Sequence, residues 1–565
     1  MREKIEQILN SVGIEGAEVF VPEHESQGHY STNVAMRMAK ELKKPPMELA
    51  SEFIAKINNF NVHYFFEKIE VAPPGFINFW IAPLNIHFEF EKKYKDLKNF
   101  GHSKIGKGKK VIVEYSQPNI AKKMHVGHLR TTIIGDAIAN MLDFLGYKVI
   151  RWNYLGDWGT QFGKLIAAYK LWGDKSKIEA NPIEELQALY VKFHDEMKTN
   201  ADLEKRGQEE FKKLETGDRE STKLWEWFKK ESLKEFEKMY SVLGVKFDAY
   251  IGESFYEKDL KPLVERLLKN GVAKISEGAV VVPLEKYNLP PALIQKSDGA
   301  SLYLTRDIAN LEYRLKKYKP EKILYVVGNE QSLHFEQLFA IADILGLNKQ
   351  TKLVHVKYGL VLGEEGKKLA TREGRTILLE DVINKGIKLA RNIVESKNQD
   401  LSVDEKDEVA KTVGIGAIKY NDLKENRMTD ITFNWDKMLA TSGESAPYLQ
   451  YTYARLKSIL RKKDEPQSSK FAFSGESDKL ELQLIRKIFE FPDVVSRGAE
   501  DLGTSNLANY LYKLATLTSQ FYEKTPILKE GKESRRAALL ALVEAVSSVL
   551  KSGLGLLGIK TLEKI

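Results

Sequence analysis

Two histidines flank a valine and a glycine in "NIAKKMHVGHLRTT", residues 119–132, of a chain that has only ten histidines. At a helix start, His125 and His128 both fall in the first turn, where imidazole N–H groups donate to phosphate oxygens. The free backbone N–H groups and the positive end of the helix dipole add to that attraction. Gly127 leaves room for a flat base or a ribose against the backbone. Lys122 and Lys123 bring positive charge just upstream. A nucleoside triphosphate suits this set. Inside a helix the same residues are ordinary solvated surface, so the flanking elements decide. No third ligand stands nearby in the sequence, so the pair is not read as a metal centre.

The flanks read as strand, break and helix. "KVIVEYS" (110–116) is a buried-strand run and "QPN" ends it. From Gly127 onward Leu129, Ile133, Ile134, Ala137, Met141, Leu142 and Leu145 recur at helical spacing, and Gly146 stops the helix. "YKVIRWNYLGD" is the next strand, which completes a right-handed βαβ unit. A second unit is expected at "KILYVVGNEQSLHFEQLFAIADILG" (322–346), leading into the strand "KLVHVKYGLVL". Ligands of open parallel sheets bind where strands end and helices begin, and HVGH stands at such a place.

Carboxylates and a phenol stand elsewhere in the chain where such a fold can bind a ligand. Glu114 ends a strand otherwise apolar at Val111 and Val113, and a buried carboxylate needs a partner or a purpose. Tyr303 and Asp307 in "YLTRD" share a face if that segment is helical. Asp307 paired on a surface with Arg306 or Lys317, and Tyr303 at a core edge, are the plain alternatives.

The 565 residues are too many for one core and predict three or four domains. Apolar content of 43% and charged content of 29% describe a globular, not a disordered, chain. With no cysteine, a disulfide framework and a cysteine-ligated zinc site are excluded, which fits a reducing cytoplasm. The N-terminal "MREKIEQILNSVGIEG" is an amphipathic helix without an apolar signal core. No run is expected to span a bilayer; the C-terminal "AALLALVEAVSSVLKSGLGLLG" is cut by Glu544 and Lys551. The net charge of +8 favours polyanion partners only modestly.

The expected architecture is multidomain α/β plus all-α. Residues 1–105 form a small α+β domain, with helices at "NVAMRMAKEL" and "PMELASEFIAKI" before the strand "GFINFWI". "GHSKIGKGKK" (101–110) is a linker. A Rossmann-type parallel-sheet domain covers 106–385, with a charged helical insertion at about 175–270. Strands vanish beyond about 380. A helical linker region at 386–445 leads to a helical bundle at 446–565, with a flexible join at "KKDEPQSSK" (462–470).

"HVGH" resembles the HIGH signature of class I aminoacyl-tRNA synthetases. "VEYSQPNIAKKMHVGHLRTTIIGDAIANMLDFLGYKV" is similar in particular to arginyl-tRNA synthetases, as are "GDWGTQFG" (156–163), "SDGASLYLTRDIAN" (297–310), "YVVGNEQSLHFEQLF" (325–339) and "SAPYLQYTYARLKSI" (445–459). The likeness runs in order over nearly the whole chain. HxGH alone is shared with small nucleotidyltransferases, and a non-catalytic, synthetase-derived RNA-binding protein would keep the same motifs; both remain alternatives.

The resemblance implies arginine–tRNA ligation. ATP and L-arginine would form arginyl-adenylate and pyrophosphate, and arginine would pass to the 2′-hydroxyl of the terminal adenosine of tRNA(Arg). Activation is expected to need the tRNA, and Mg²⁺ to accompany ATP; no zinc is expected. The family's arginine-binding positions fall on Glu114, Asn119, Tyr303, Asp307 and Gln331. Its ATP-binding positions fall on Lys122, His125, Gly127, His128, His334 and Gln337. The second signature loop matches "EEGKKLATREGRT" (364–376) loosely, giving Lys368 and Arg372 to catalysis beside Lys122, His125, Gly127 and His128. Arg372 stands where the motif has its last lysine, and Lys122 would compensate. A lysine cannot satisfy acceptors set for a planar fork, so no editing domain is assigned. The C-terminal helices resemble a DALR-type anticodon-binding domain with "YARL" at 453–456. There Tyr448, Tyr451 and Tyr453 are candidates for base stacking or for core. The N-terminal domain resembles the family's D-loop reader, with Phe76 and Asn78 facing a base. A cytoplasmic monomer without a membrane partner is expected.

Overall fold

The computed structural model describes residues 1–59, 63–363, 377–397, 399–462, 473 and 478–565. The sequence divides into two compact units. The larger holds 102–454, 493–512 and 551–565, and is built on a parallel sheet. Its elements are β1 (Lys110–Glu114), α1 (Val126–Phe144), β2 (Lys148–Leu155), β3 (Ala249–Gly252), α2 (Tyr303–Tyr318), β4 (Lys322–Gly328), α3 (Ser332–Ile344) and β5 (Lys352–Tyr358). The strand order is β5-β4-β1-β2-β3, every pair parallel. The chain runs outward from β1 to β3, then returns to place β4 on the other side of β1. That reversal opens a crevice between the carboxyl ends of β1 and β4, where Glu114 and Tyr325 stand opposite each other.

Composition explains these elements. Val111, Ile112 and Val113 are buried on both faces of β1, as a central parallel strand requires. Helix α1 is buried on nearly every side and carries Arg130 and Asp136 inside with its apolar residues. It ends where Gly146 takes φ +84° and donates its N–H to Asp143 O at 2.9 Å, a left-handed stop that suits glycine.

The helical insertion comprises Lys175–Ala180, Pro182–Met197, Asp202–Glu215 and Arg219–Leu243. It stops well before 270, because β3 begins at Ala249 and belongs to the central sheet. That four-residue edge strand is only partly buried, so it has no apolar run to betray it. A three-stranded antiparallel sheet then follows at Lys274–Ser276, Ala279–Val282 and Ala292–Gln295, also unforeseen in the sequence. Strands do not wholly vanish after 380: Ile431–Thr432 pairs with Val361–Leu362, too short a pair for any periodicity to register.

The smaller unit holds 1–101, 455–492 and 513–550. Four antiparallel strands, Val19–Phe20, Tyr30–Thr32, Phe66–Ala72 and Phe76–Ile81, form its sheet. The two ends of the sequence meet inside it. Tyr94 OH donates to Glu544 at 2.6 Å, and Glu25 is held by Arg486 at 3.0 Å and by Gln483. One expectation needs correction here. Helix Glu533–Leu556 is long and apolar enough, by length and composition, to cross a membrane despite Glu544 and Lys551. Its most apolar stretch is 78% buried inside the protein, so that composition serves packing: Leu539, Leu542 and Val546 are core residues.

One buried ion pair ties α1 to helix Val403–Leu423, which comes after the sheet in the chain. Arg130, 1% exposed, donates from Nε to Asp422 Oδ2 at 3.0 Å and from Nη2 to Oδ1 at 3.0 Å. Its other donors meet the carbonyls of Thr429 at 3.0 Å and Arg427 at 3.2 Å. Removing one side strands a buried charge. Arg130→Met is therefore expected to lower unfolding free energy by about 3–5 kcal/mol, read from urea denaturation.

Candidate active site

The turn from β1 to α1 is bent in an uncommon way. Ser116, Gln117 and Ala121 have φ of 76°, 53° and 60°, left-handed values that cost a non-glycine residue about 1–2 kcal/mol each. Asn119 is exposed within this turn and forms a β-bridge with Gly156. Gly156 N–H donates to Pro118 O at 3.1 Å, and Ile120 N–H to Gly156 O at 3.2 Å. A Cβ on Gly156 would lie 2.0 Å from Asn119 Oδ1. The glycine of "GDWG" is thus the bare backbone that seats Asn119.

At HVGH both imidazoles turn inward to the backbone. His125 caps α1, its Nδ1 accepting from Gly127 N–H at 3.1 Å; His128 Nδ1 accepts from His125 N–H at 3.1 Å. The rings lie 3.9 Å apart. With both Nδ1 atoms accepting, each neutral ring carries its proton on Nε2. Burial pushes His128 down to about 3, with the neighbouring His125 adding to the fall, and burial lowers His125 as well. Both are neutral donors at physiological pH. One expectation changes. The first N–H groups of α1 are not free: Val126 donates to Ile377 O at 3.0 Å, Gly127 to His125, and His128 to His125 O at 2.8 Å. Gly127 has a further task beside the expected one, since a Cβ there would lie 2.8 Å from His125 Cε1. Its absence lets the His125 ring fold back.

Leu379 N–H donates to Met124 O at 3.0 Å, and His125 bridges Leu378. The segment just after residues 364–376 is therefore stitched across HVGH. Lys368 and Arg372 lie outside the described residues. Lys122 is exposed, with its Nζ 5.9 Å from the Tyr190 ring centre.

Beside this turn lies a cluster of acids. Glu114 is 3% exposed and already has a guanidinium within the chain: Arg314 of α2 pairs with its Oε2, and Gln117 donates to Oε1 at 2.5 Å. Burial pushes its carboxyl up; Arg314 opposes that and Asp307 adds to it. Asp307 Oδ2 meets His334 Nε2 at 2.6 Å. Burial works to lower His334, but the hydrogen bond and charge of Asp307, with Glu114 behind, leave it above an ordinary histidine. Tyr303 opens α2, four residues before Asp307, and is 64% exposed. Gln331 is exposed at the N-cap of α3. Gln337, an expected ATP contact, gives its amide to the carbonyls of Pro290 at 3.0 Å and Pro291 at 3.4 Å.

Sequence reasoning missed the rest of the cluster. Glu253, at the end of β3, is 7% exposed, and its Oε2 has no hydrogen-bond partner among the described residues. Burial pushes it up to about 8; Arg306 opposes, and Asp307 and Asp157 reinforce. Tyr154 OH of β2 is likewise buried and unpartnered among those residues, and its charged neighbours are Asp307, Glu253 and Glu114. Asp157 fixes the chain beside Glu253. It accepts from Ser254 N–H at 2.9 Å, Ser254 Oγ at 2.8 Å and Lys229 Nζ at 2.5 Å. Only the "GDWG" motif signalled Asp157. Glu253 carried no signal, because it opens the turn after β3 and that stretch was read as helical insertion.

The expected nucleic-acid contacts are placed more variously. Phe76 is half-buried and edge-on to Phe20 at 6.3 Å. Asn78 is buried in the sheet and accepts from Ser31 Oγ at 2.7 Å. Tyr448 packs edge-on against Tyr512 at 5.9 Å; Tyr453 is core and Tyr451 is exposed.

Comparison with known proteins is consistent along the chain. Residues 94–435 match the class I tRNA synthetase (R) catalytic domain, 449–565 the DALR anticodon binding domain, and 1–81 the arginyl-tRNA synthetase N-terminal domain. An arginine–tRNA ligase of Clostridium perfringens is 45% identical over 531 residues, covering 94% of this chain and 93% of that one. That of Halothermothrix orenii is 42% identical over 564 residues, covering 99% and 98%. The Plasmodium falciparum arginyl-tRNA synthetase structure superposes with a TM-score of 0.82 at 29% identity, covering 100% and 99%. The Thermus thermophilus one gives 0.81 at 25% identity, covering 100% and 99%.

The Asp307–His334 pair has a pH signature. Because the folded pKa of His334 is raised, its contribution to stability is complete below the unfolded value of 6.5 and is lost as pH rises through the folded value. An NMR titration should place its midpoint above 6.5. In Asp307→Asn the midpoint should fall, since burial is then opposed only by the more distant charge of Glu114.

Proposed function

The chain belongs to the arginyl-tRNA synthetase family of class I aminoacyl-tRNA synthetases, and from that premise we propose how its residues carry out the ligation of arginine to tRNA(Arg). ATP lies along the HVGH turn. The Nε2–H groups of His125 and His128 donate to phosphate oxygens without adding charge, and Lys122 supplies the positive charge. The arginine carboxylate attacks the α-phosphorus; the bond to pyrophosphate breaks and arginyl-adenylate forms. The carboxylate is already ionised, so this step needs positioning rather than a base. The terminal adenosine 2′-hydroxyl of the tRNA then attacks the adenylate carbonyl and AMP leaves. Mg²⁺ is proposed to arrive with the ATP, held by its phosphates, and no step here runs through it; among the described residues no group of three His, Asp or Glu side chains is placed to hold a metal. Lys368 and Arg372, outside the described residues, are proposed to balance charge on the pyrophosphate.

Arginine binds between α2 and the ends of β1 and β3. Asp307 and Glu253 take the guanidinium, with Tyr154 OH as a further partner. Glu114 acts from beneath through its charge and Arg314. Asn119, Tyr303 and Gln331 hold the amino and carboxylate end, and His334 keeps Asp307 in place. The observation that carries this reading is the buried, unpartnered Glu253 Oε2 beside Asp307, an acceptor awaiting a cation. Phe76 and Tyr448 are the proposed tRNA contacts; Asn78, taken up by Ser31 inside the sheet, is not kept among them. A cytoplasmic monomer is the proposed state, in keeping with a cysteine-free chain. Arginine-dependent pyrophosphate exchange, with and without tRNA, tests the reaction. Exchange is expected only with both; none even with tRNA removes the catalytic reading.

Two outcomes test the site. Glu253 is protonated in the free protein below about 8, and a guanidinium needs the carboxylate. The KM for arginine should therefore fall as pH rises toward about 8 and level off above it, and Glu253→Gln should flatten that slope and raise KM. The raised pKa also means that Glu253 supports folding fully below 4.5 and loses that support as pH passes about 8. Gly156→Ala should displace Asn119 and lower kcat/KM for arginine by about 10²-fold in the same exchange assay.

A further inference from the structure

The turn that carries Asn119 and Lys122 is held in its left-handed conformations by the helical insertion. Such backbone persists only where the surroundings over-determine it. Helix Arg219–Leu243 does so at two points. Ser232 Oγ, fully buried, accepts the Ala121 N–H at 2.9 Å and donates to Phe228 O at 2.8 Å. Two turns on, the buried Tyr240 OH meets Ser116 Oγ at 2.7 Å and accepts from Asn153 Nδ2 at 2.9 Å. Asn153 Oδ1 in turn accepts the Gln117 N–H at 3.2 Å. All three positive-φ residues are thus tied to one helix face, directly or through Asn153.

We infer that Ser232 and Tyr240 are positioning residues for the reaction. They touch no substrate. They set the path of the backbone and so the directions in which Asn119 and Lys122 leave it. The insertion is then part of the catalytic apparatus and not an appendage to the sheet. This rests on the reading of Asn119 and Lys122 as substrate contacts.

Ser232→Ala and Tyr240→Phe each delete one hydroxyl and keep the packing. In pyrophosphate exchange with arginine, ATP and tRNA, below the unfolding range of every variant, each should lower kcat about tenfold per folded molecule. A merely structural role would lower the melting temperature and leave kcat intact. Rescue separates the two further. Glycine adopts positive φ without being held there, so Ala121→Gly placed in the Ser232→Ala protein should restore kcat toward that of Ala121→Gly alone. Wild-type kcat and KM in both hydroxyl deletions, or no rescue by glycine, overturns the inference. Asn119→Ala and Lys122→Ala serve as the other arm. If they keep wild-type kinetics, the site reading fails; if they lose activity while the hydroxyl deletions do not, only the positioning role fails.

Discussion

A buried guanidinium under the sheet's carboxyl edge organises the rest of the site. Arg314 pairs with Glu114 and lies over the ring of Trp152 at 4.4 Å, with Tyr325 at 5.7 Å. Neither member of such a pair can be removed without leaving a charge in a low dielectric. The pair fixes α2 against β1. Asp307 stands two turns earlier on the same helix face, so fixing Arg314 also fixes Asp307 against His334 of α3. It divides the acids as well. Glu114 is matched within the chain, while Glu253 has an oxygen with nothing to receive among the described residues. An unmet acceptor therefore remains on the side proposed for the arginine guanidinium.

The histidines work by a complementary logic. Burial keeps them neutral, and their Nδ1 atoms are spent on the backbone of their own turn. What remains is a pair of Nε2–H donors in fixed positions. Such donors follow charge as it develops on phosphate without bringing a counter-charge that would also hold the ground state. The helix dipole still contributes, but the leading N–H groups of α1 bind protein atoms. Both ends of the proposed substrate pair thus meet groups fixed in advance by backbone hydrogen bonds and a buried ion pair.

Much of this was legible in the linear chain. The βαβ units read correctly because β1 and β4 are apolar runs bounded by turn residues, and because α1 begins at a break and ends at a glycine. The order of the motifs identified the family. Local signals failed where an element was short or its partner distant. β3 has four residues, so Glu253 looked like part of a charged helix. The ends of the chain share a compact unit through Tyr94–Glu544 and Arg486–Glu25, contacts between positions hundreds of residues apart. Helix Glu533–Leu556 is apolar because it is packed inside the protein, which periodicity alone does not reveal.

Residue types and their spacing determined which side chains were available for chemistry: imidazoles at a helix start, carboxylates at strand ends, lysines beside them. Tertiary structure decided which of those were still unspent. Glu114 became half of an internal pair and Asn78 was absorbed into a sheet, while Glu253, unmarked in the sequence, was left with an unmet oxygen. The reason is physical. A group's residual capacity to bind is whatever its neighbours have not satisfied, and those neighbours come from segments that only folding brings together.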